Sequence, residues 1–352
     1  MRIGLSGTGR IGRLVIRRLI NQSPRNVELA AINSIGSVET LAHLLKYDTV
    51  HGTWDADIQV KNGELTINGL RITIISEKDP EKLPWNELGV SLAIDATGRF
   101  NNRTEASKHL TAGAKRVLLT APAENADFTL LMGVNERSYD AKRHRILSAA
   151  SCTTNCLAPV LHVLDQAFGI EKGWMSTVHA YTNDQNHMDN SHKDLRRARS
   201  CTSSIIPTST GVGKALKNVL PHLADRIHGI SIRVPVQDVS LLDVVLQLRT
   251  QAEPSEIREI LTRAAEGEHR GILAYSDLPL VSADFIGNAH SAIIDGLSLQ
   301  TYENELRLLV WYDNEWGYAS RVVDTASLIA KADAEGHSTE KELLDDAIQS
   351  VG

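Results

Sequence analysis

Cysteine is scarce in this chain, with three in 352 residues. So few cannot build a disulfide framework in a protein this size, and a reducing, cytoplasmic location is expected. No run of about 18 apolar residues occurs, so no membrane partner or span is expected. The chain enters a strand-like segment at once, "MRIGLSG", which speaks against a signal peptide. Basic residues are not in surplus: 37 Lys and Arg against 43 Asp and Glu leave a formal charge of -6. With no long basic block, nucleic acid is not an expected partner. Two cysteines form Cys152-x3-Cys156, but no second Cys/His pair at ligand spacing accompanies them, so no metal site is expected. Internal repeats and low-complexity segments are also missing.

What remains is an ordinary globular composition, 42% hydrophobic and 23% charged. The length exceeds one typical core, so two domains are expected. In the first half strands and helices alternate. "MRIGLSG" is followed by the helical "RIGRLVIRRLINQ", "NVELAAIN" by "SVETLAHLLKYD", and "VSLAIDATG" by "NRTEASKHLTAG" and "AKRVLLTAP". This βαβ order predicts an α/β fold with a parallel, Rossmann-type sheet. Between these units "DIQVKNGELTINGLRITII" alternates around two Asn-Gly pairs and predicts antiparallel hairpins.

The first strand-to-helix turn reads Gly7-Thr8-Gly9-Arg10-Ile11-Gly12. Glycines at this spacing permit a tight turn, close approach of a pyrophosphate, and helix–strand packing, so a dinucleotide is the expected cofactor. The second strand then ends in Asn33 and Ser34, with no carboxylate before Glu39. An acid there would bind the adenosine ribose hydroxyls of NAD and repel a 2′-phosphate. Its absence points towards NADP.

"SAASCTTNCLAPV" places Cys152 where an apolar strand gives way to a helix. Unpaired N–H groups and the helix dipole favour an anion there, so its thiol is expected to lose its proton more readily than a free cysteine. Cys156 falls one turn further in. The second half reads differently: "GWMSTVHAYT" is a strand carrying His179, and "GISIRVPVQDVSLLDVVLQLRT" supplies two long antiparallel strands. An α+β domain with a large, mainly antiparallel sheet is expected.

Over almost its full length the chain resembles phosphorylating glyceraldehyde-3-phosphate dehydrogenase. The matching segments include "GRIGR", "LLKYDTVHG", "GAKRVLLTAP", "SCTTNCLAP", "TVHAYTNDQ", "HKDLRRAR", "IIPTSTG", "HSAIIDG" and "WYDNEWGY". The resemblance implies Cys152 as nucleophile and His179 as its base. It implies that Thr182 and Arg233 hold the phosphate of glyceraldehyde 3-phosphate. Ser151, Thr153, Arg197, Thr210 and Gly211 would hold the attacking inorganic phosphate. Arginine suits both tasks because its donors form a fixed fork. Cofactor contacts are implied at Gly7, Gly9, Arg10, Ile11, Asn33, Ser34, Lys78, Thr97, Gly98 and Thr120. Asn314 would orient the nicotinamide amide, with Tyr318 close by.

The chain departs from the family's NAD-specific pattern at Ser34, where Asp is usual, and at Asn190-Ser191, where Leu-Pro is common. These departures accompany NADP use in photosynthetic and gluconeogenic members, so NADP is expected as the preferred cofactor, with NAD accepted. The family is homotetrameric, which implies that Ser191 reaches the adenosine end of a neighbouring subunit's cofactor. The implied division is 1–151 plus a C-terminal helix of about 315–335 as cofactor domain, 152–314 as catalytic domain, and 336–352 as an acidic tail. Three other readings are open to the sequence: erythrose-4-phosphate dehydrogenase, whose members usually lose the threonines at 182 and 210; an arsenate-resistance variant; and a non-enzymatic nucleotide-binding protein.

Overall fold

Two sheets organise the chain in the computed structural model, which describes residues 1–349 and their side chains through residue 335. In the first, Arg2–Ser6 lies between Glu28–Asn33 and Leu92–Asp95, and Arg116–Leu119 and Ile146–Ser148 continue outward; all pair in parallel. These strands are almost wholly buried, as expected when helices cover both faces of a parallel sheet. The Asn-Gly pairs do what their chemistry predicts. Asn62 and Asn68 take φ of 53° and 50°, each followed by glycine at 79°, and close Ile58–Lys61, Glu64–Ile67 and Leu70–Ile75 into two hairpins. Leu70–Ile75 also pairs in parallel with Glu28–Asn33, which joins the hairpins to the sheet, and Phe128–Thr129 beside Ile146–Ser148 completes nine strands.

The second sheet has seven strands, in the order Ile206–Thr208, Ile227–Val234, Ile170–Ala180, Ser240–Leu248, Glu305–Tyr312, Ala292–Tyr302 and Leu273–Ser276. Its pairings are antiparallel except for Ile170–Ala180 with Ile227–Val234 and Leu273–Ser276 with Ala292–Tyr302. The two strands in "GISIRVPVQDVSLLDVVLQLRT" do run in opposite directions, but they are not neighbours. Ile170–Ala180 is inserted between them. Alternation along Ser240–Leu248 turns Leu242, Val244, Leu246 and Leu248 inward, against the helix Cys152–Phe168.

The long helix Trp316–Gln349 returns to the first sheet. Its Val322, Val323, Ala326 and Ile329 share a core with Leu14, Val15 and Ile16 of the helix Arg10–Gln22. The side chains of the expected acidic tail, 336–352, lie outside the described residues. Cys152 is the informative residue here, because it packs against both main cores. It sits on the seam.

Candidate active site

The turn that delivers Cys152 is strained. Ala150 has φ of 55°, a left-handed conformation costing a residue with a Cβ about 1 kcal/mol. The turn is held by the Ala150 N–H donating to Ser148 Oγ at 3.0 Å and by Tyr318 donating to the Ala150 carbonyl at 2.9 Å. Ser151 caps the helix, its hydroxyl accepting from the Thr154 N–H at 3.1 Å. Cys152 therefore occupies the first helical position, as the sequence predicts.

His179 stands near the end of the strand Ile170–Ala180, on its buried face. Its Nε2 lies 3.5 Å from Cys152 Sγ. Its Nδ1 lies 2.6 Å from the Ala180 carbonyl, which can only accept, so Nδ1 carries the proton and Nε2 offers its lone pair to the thiol. Burial and the nearby Arg233 guanidinium push the imidazole down to about 3, so it is neutral near pH 7. The thiol departs from expectation. Burial is the largest influence and holds Cys152 above its ordinary value, against Arg233, the Thr153 hydroxyl and local N–H groups. The helix start alone does not make this thiol acidic. The resting pair is a thiol facing a neutral base.

Around the pair, Arg233 donates to Thr182 Oγ1 and to the Ala180 carbonyl, both at 3.2 Å. Ser151 and Thr182 line the cleft with Cys152 and His179. Thr153 is buried, its hydroxyl 3.1 Å from that of Tyr312. Arg197 is ion-paired with Asp184 and donates to Thr208 at 3.0 Å. Thr210 and Gly211 precede the helix Val212–Val219, and Gly211 borders a separate cavity beside Ala150. Ser191 is exposed in the loop and is not among the residues lining the cleft.

A cleft of about 810 Å³ runs from Cys152, Asn314 and Tyr318 past Thr120, Thr97 and Gly98 to Gly9 and Ile11. It leads to a cavity of about 310 Å³ that includes Gly7, Asn33, Lys78 and Thr97. The glycine turn fits a dinucleotide. A Cβ at Gly7 would lie 2.6 Å from the Thr97 nitrogen, and one at Gly12 would lie 2.0 Å from the Gly7 carbonyl oxygen, whereas Gly9 is open. Asn33 is held by bonds to Ser6 and to the Glu77 backbone. Ser34 is buried, its hydroxyl 2.8 Å from that of Thr8.

The Arg10 guanidinium pairs with Asp48 and Glu315, so its charge is already partnered where the residue lines the cleft. Burial opposes ionisation at Asp48 and Glu315, but Arg10 outweighs it and holds both carboxyls below their usual range. His51 Nε2 lies 3.3 Å from Glu315 and 3.6 Å from Asp238, whose buried carboxyl oxygens have no hydrogen-bond partner among the described residues. Burial, with Asp313 and Glu315 nearby, pushes Asp238 well above the usual carboxylate range.

Sequence reasoning missed several residues of the site. Glu77 and Arg99 line the cavity at the glycine turn, and Ser240 bonds to Asn314. None carries a local motif. Glu77 follows a strand that reads only as part of a hairpin, and Ser240 opens an otherwise unremarkable alternating strand.

Comparison with known proteins agrees with this geometry. Residues 151–314 match the model of the glyceraldehyde 3-phosphate dehydrogenase C-terminal domain, and residues 1–103 that of the corresponding NAD binding domain. Glyceraldehyde-3-phosphate dehydrogenase 2 of Bacillus subtilis is 51% identical over 331 residues, covering 94% of this chain and 97% of the relative. The enzyme of Geobacillus stearothermophilus is 49% identical over 331 residues, covering 94% and 98%. Glyceraldehyde-3-phosphate dehydrogenase 2 of Streptomyces avermitilis is 46% identical over 325 residues, covering 92% and 97%. With a nucleophile–base pair set at the seam of two such domains, the chain belongs to the glyceraldehyde-3-phosphate dehydrogenase family.

Proposed function

We propose that this protein is a phosphorylating dehydrogenase that converts glyceraldehyde 3-phosphate and inorganic phosphate to 1,3-bisphosphoglycerate, with NADP preferred over NAD. The observation that carries the reading is the 3.5 Å approach of Cys152 Sγ to His179 Nε2 at the end of a dinucleotide-sized cleft. As His179 takes the thiol proton, sulfur attacks the aldehyde carbon, and the imidazolium passes that proton to the aldehyde oxygen, which leaves His179 neutral again. The resulting hydroxyl then gives its proton to His179 as the carbon loses hydride, leaving a thioester on Cys152. A bound oxidised nicotinamide supplies the hydride acceptor. A phosphate oxygen attacks the thioester carbonyl, and the Cys152 thiolate leaves. Thr182 and Arg233 hold the phosphate of the aldehyde; Ser151, Thr153, Arg197, Thr210 and Gly211 serve the attacking phosphate.

The NADP preference is supported by Ser34, which has no charge to repel a 2′-phosphate, and by Lys78 and Arg99 in the neighbouring cavity. Glu77 in the same cavity opposes it. A homotetramer is part of the proposal, with Ser191 contributed to a neighbour's cofactor site. Among the described residues no helix is long and apolar enough to cross a membrane.

Initial rates with NADP and with NAD, each with and without inorganic phosphate, test the proposal. Turnover that requires phosphate and a higher kcat/KM for NADP are expected. An NAD preference of tenfold, about 1.4 kcal/mol, overturns the cofactor assignment. A higher kcat/KM with erythrose 4-phosphate overturns the substrate.

A further inference from the structure

Asn314 lines the cleft beside Cys152 and Tyr318 and is almost completely buried. A carboxamide has a donor end and an acceptor end of nearly equal size, so its shape does not say which end faces the cleft. Ser240 decides it. The Ala180 N–H donates to Ser240 Oγ at 3.1 Å, and the Ser240 hydroxyl donates to Asn314 Oδ1 at 2.7 Å. The oxygen of Asn314 is thereby drawn into the protein. With its oxygen engaged by Ser240, the NH2 is the end of Asn314 left to serve the cleft that the residue lines.

The backbone around Ser240 is shaped for this contact. Val239, immediately before it, has φ of 65°, a conformation that a β-branched residue rarely adopts. It is kept there by burial against Phe285 and Ile293. Strain of this kind persists only where the surroundings over-determine the backbone, and it gathers at functional sites. Ala180, whose N–H orders Ser240, also accepts from His179 Nδ1 and Arg233 through its carbonyl. One residue thus ties the base, the Thr182-linked arginine and the Asn314 amide into a single frame.

We propose that Ser240 is a positioning residue for the nicotinamide: it aims the NH2 of Asn314 at the carboxamide carbonyl and so sets which ring face meets Cys152. This deepens the dehydrogenase reading and rests on it. An aromatic ring can enter the cleft with either face towards the thiol, and a single fixed donor to its one carbonyl removes that freedom. With Ser240 lost, the Asn314 amide is free to rotate by half a turn and present its oxygen instead.

The test uses the full-length protein with NADP alone. Transferred nuclear Overhauser effects from the ribose H1′ to nicotinamide H2 and H6 report ring orientation without any turnover. The wild type should show strongly unequal intensities. In Ser240→Ala they should approach equality, with the dissociation constant rising about fivefold, the worth of one hydrogen bond. The rate of Cys152 alkylation by iodoacetamide without cofactor should stay within about twofold, because the thiol keeps His179 and Arg233. Ser240→Cys, which keeps the size but donates weakly, is the second variant should the alanine protein not fold. It should show an intermediate ratio. Wild-type intensities in whichever variant folds overturn the role of Ser240. Wild-type protein that binds neither NADP nor NAD overturns the dehydrogenase reading instead, so the two failures are distinct.

Discussion

Cys152 Sγ and His179 Nε2 approach to 3.5 Å at a seam where two separately packed cores meet. Neither side chain reaches the other by flexibility. The cysteine is fixed by a capped helix start and the histidine by the buried face of a strand whose next carbonyl holds its other nitrogen. Preorganisation of this kind lets a neutral imidazole serve as base without the cost of first ordering it.

The depressed imidazole sets an expectation for pH. Burial and Arg233 hold His179 at about 3, so the acid limb of the kcat/KM profile arising from His179 should fall well below the ordinary imidazole value of about 6.5. The unfolded chain binds a proton at this residue that the folded chain does not. Stability from His179 is therefore intact above pH ~6.5 and is lost as pH falls from there towards the folded value. His179→Asn should cut kcat by about 10²–10⁴-fold and flatten that part of the stability curve. Steady-state rates and thermal unfolding across pH 4–8 check both. An acid limb at the ordinary imidazole value that His179→Asn removes would contradict the assignment.

Three cysteines allow a clean comparison. Cys152→Ser should abolish dehydrogenase turnover. Cys156 is fully buried and its thiol is pushed far up, so Cys156→Ser should keep most activity while losing about 1–3 kcal/mol of stability to an unpaired hydroxyl. Cys201→Ser should also remain active. Substantial turnover in the Cys152 variant, measured after removal of any wild-type contaminant, would sink the nucleophile.

Arg233 and Arg197 are expected to serve different phosphates. Arg233→Leu should mainly raise the KM for the phosphorylated aldehyde, and Arg197→Leu that for inorganic phosphate, each by about 1.5–3 kcal/mol of lost charge-assisted bonding. A second readout separates them. Arg233 pulls the Cys152 thiol down, so Arg233→Leu should move the midpoint of Cys152 alkylation to higher pH, and Arg197→Leu should leave it nearly unchanged. Equal effects of both variants on both constants would show that the division is wrong.

Cofactor choice is tested at Ser34. Ser34→Asp should break its contact with Thr8 and place a carboxylate near the adenosine ribose, raising the KM for NADP and lowering that for NAD. A swing of tenfold or more in the kcat/KM ratio, about 1.4 kcal/mol, is expected. Ser191→Pro should weaken NADP further, and only in the assembled oligomer. An unchanged ratio in Ser34→Asp would remove the basis for NADP preference.

Asp238 predicts a stability gain by substitution. Its buried carboxyl faces His51, Asp313 and Glu315, and its folded value lies above the unfolded one. The contribution of the protonated form is complete below pH ~4 and lost as pH rises through the folded value. Asp238→Asn does not titrate. Its Tm should exceed that of the wild type, by a margin that grows from pH 5 to pH 8. A constant or shrinking margin in calorimetry would show that Asp238 is held ionised.

Local rules made part of this protein legible in its sequence. The glycine turn, the two Asn-Gly hairpins and the helix beginning at Cys152 each depend on residues a few positions apart, and the alternation of strands with helices announced a parallel first sheet. Backbone conformation and hydrophobic periodicity are enough to specify them. The family resemblance carried by "SCTTNCLAP" and "TVHAYTNDQ" also pointed to Cys152 and His179. Tertiary structure alone decided the rest. The insertion of Ile170–Ala180 between two strands consecutive in sequence, the turning of Arg10 towards Asp48 and Glu315, and the arrival of Glu77 and Ser240 at the site join residues far apart in the chain. The titration of Cys152 belongs with them. A helix start favours its thiolate, but burial opposes it more strongly, and burial is set by how two cores close over a residue rather than by the residues beside it in sequence.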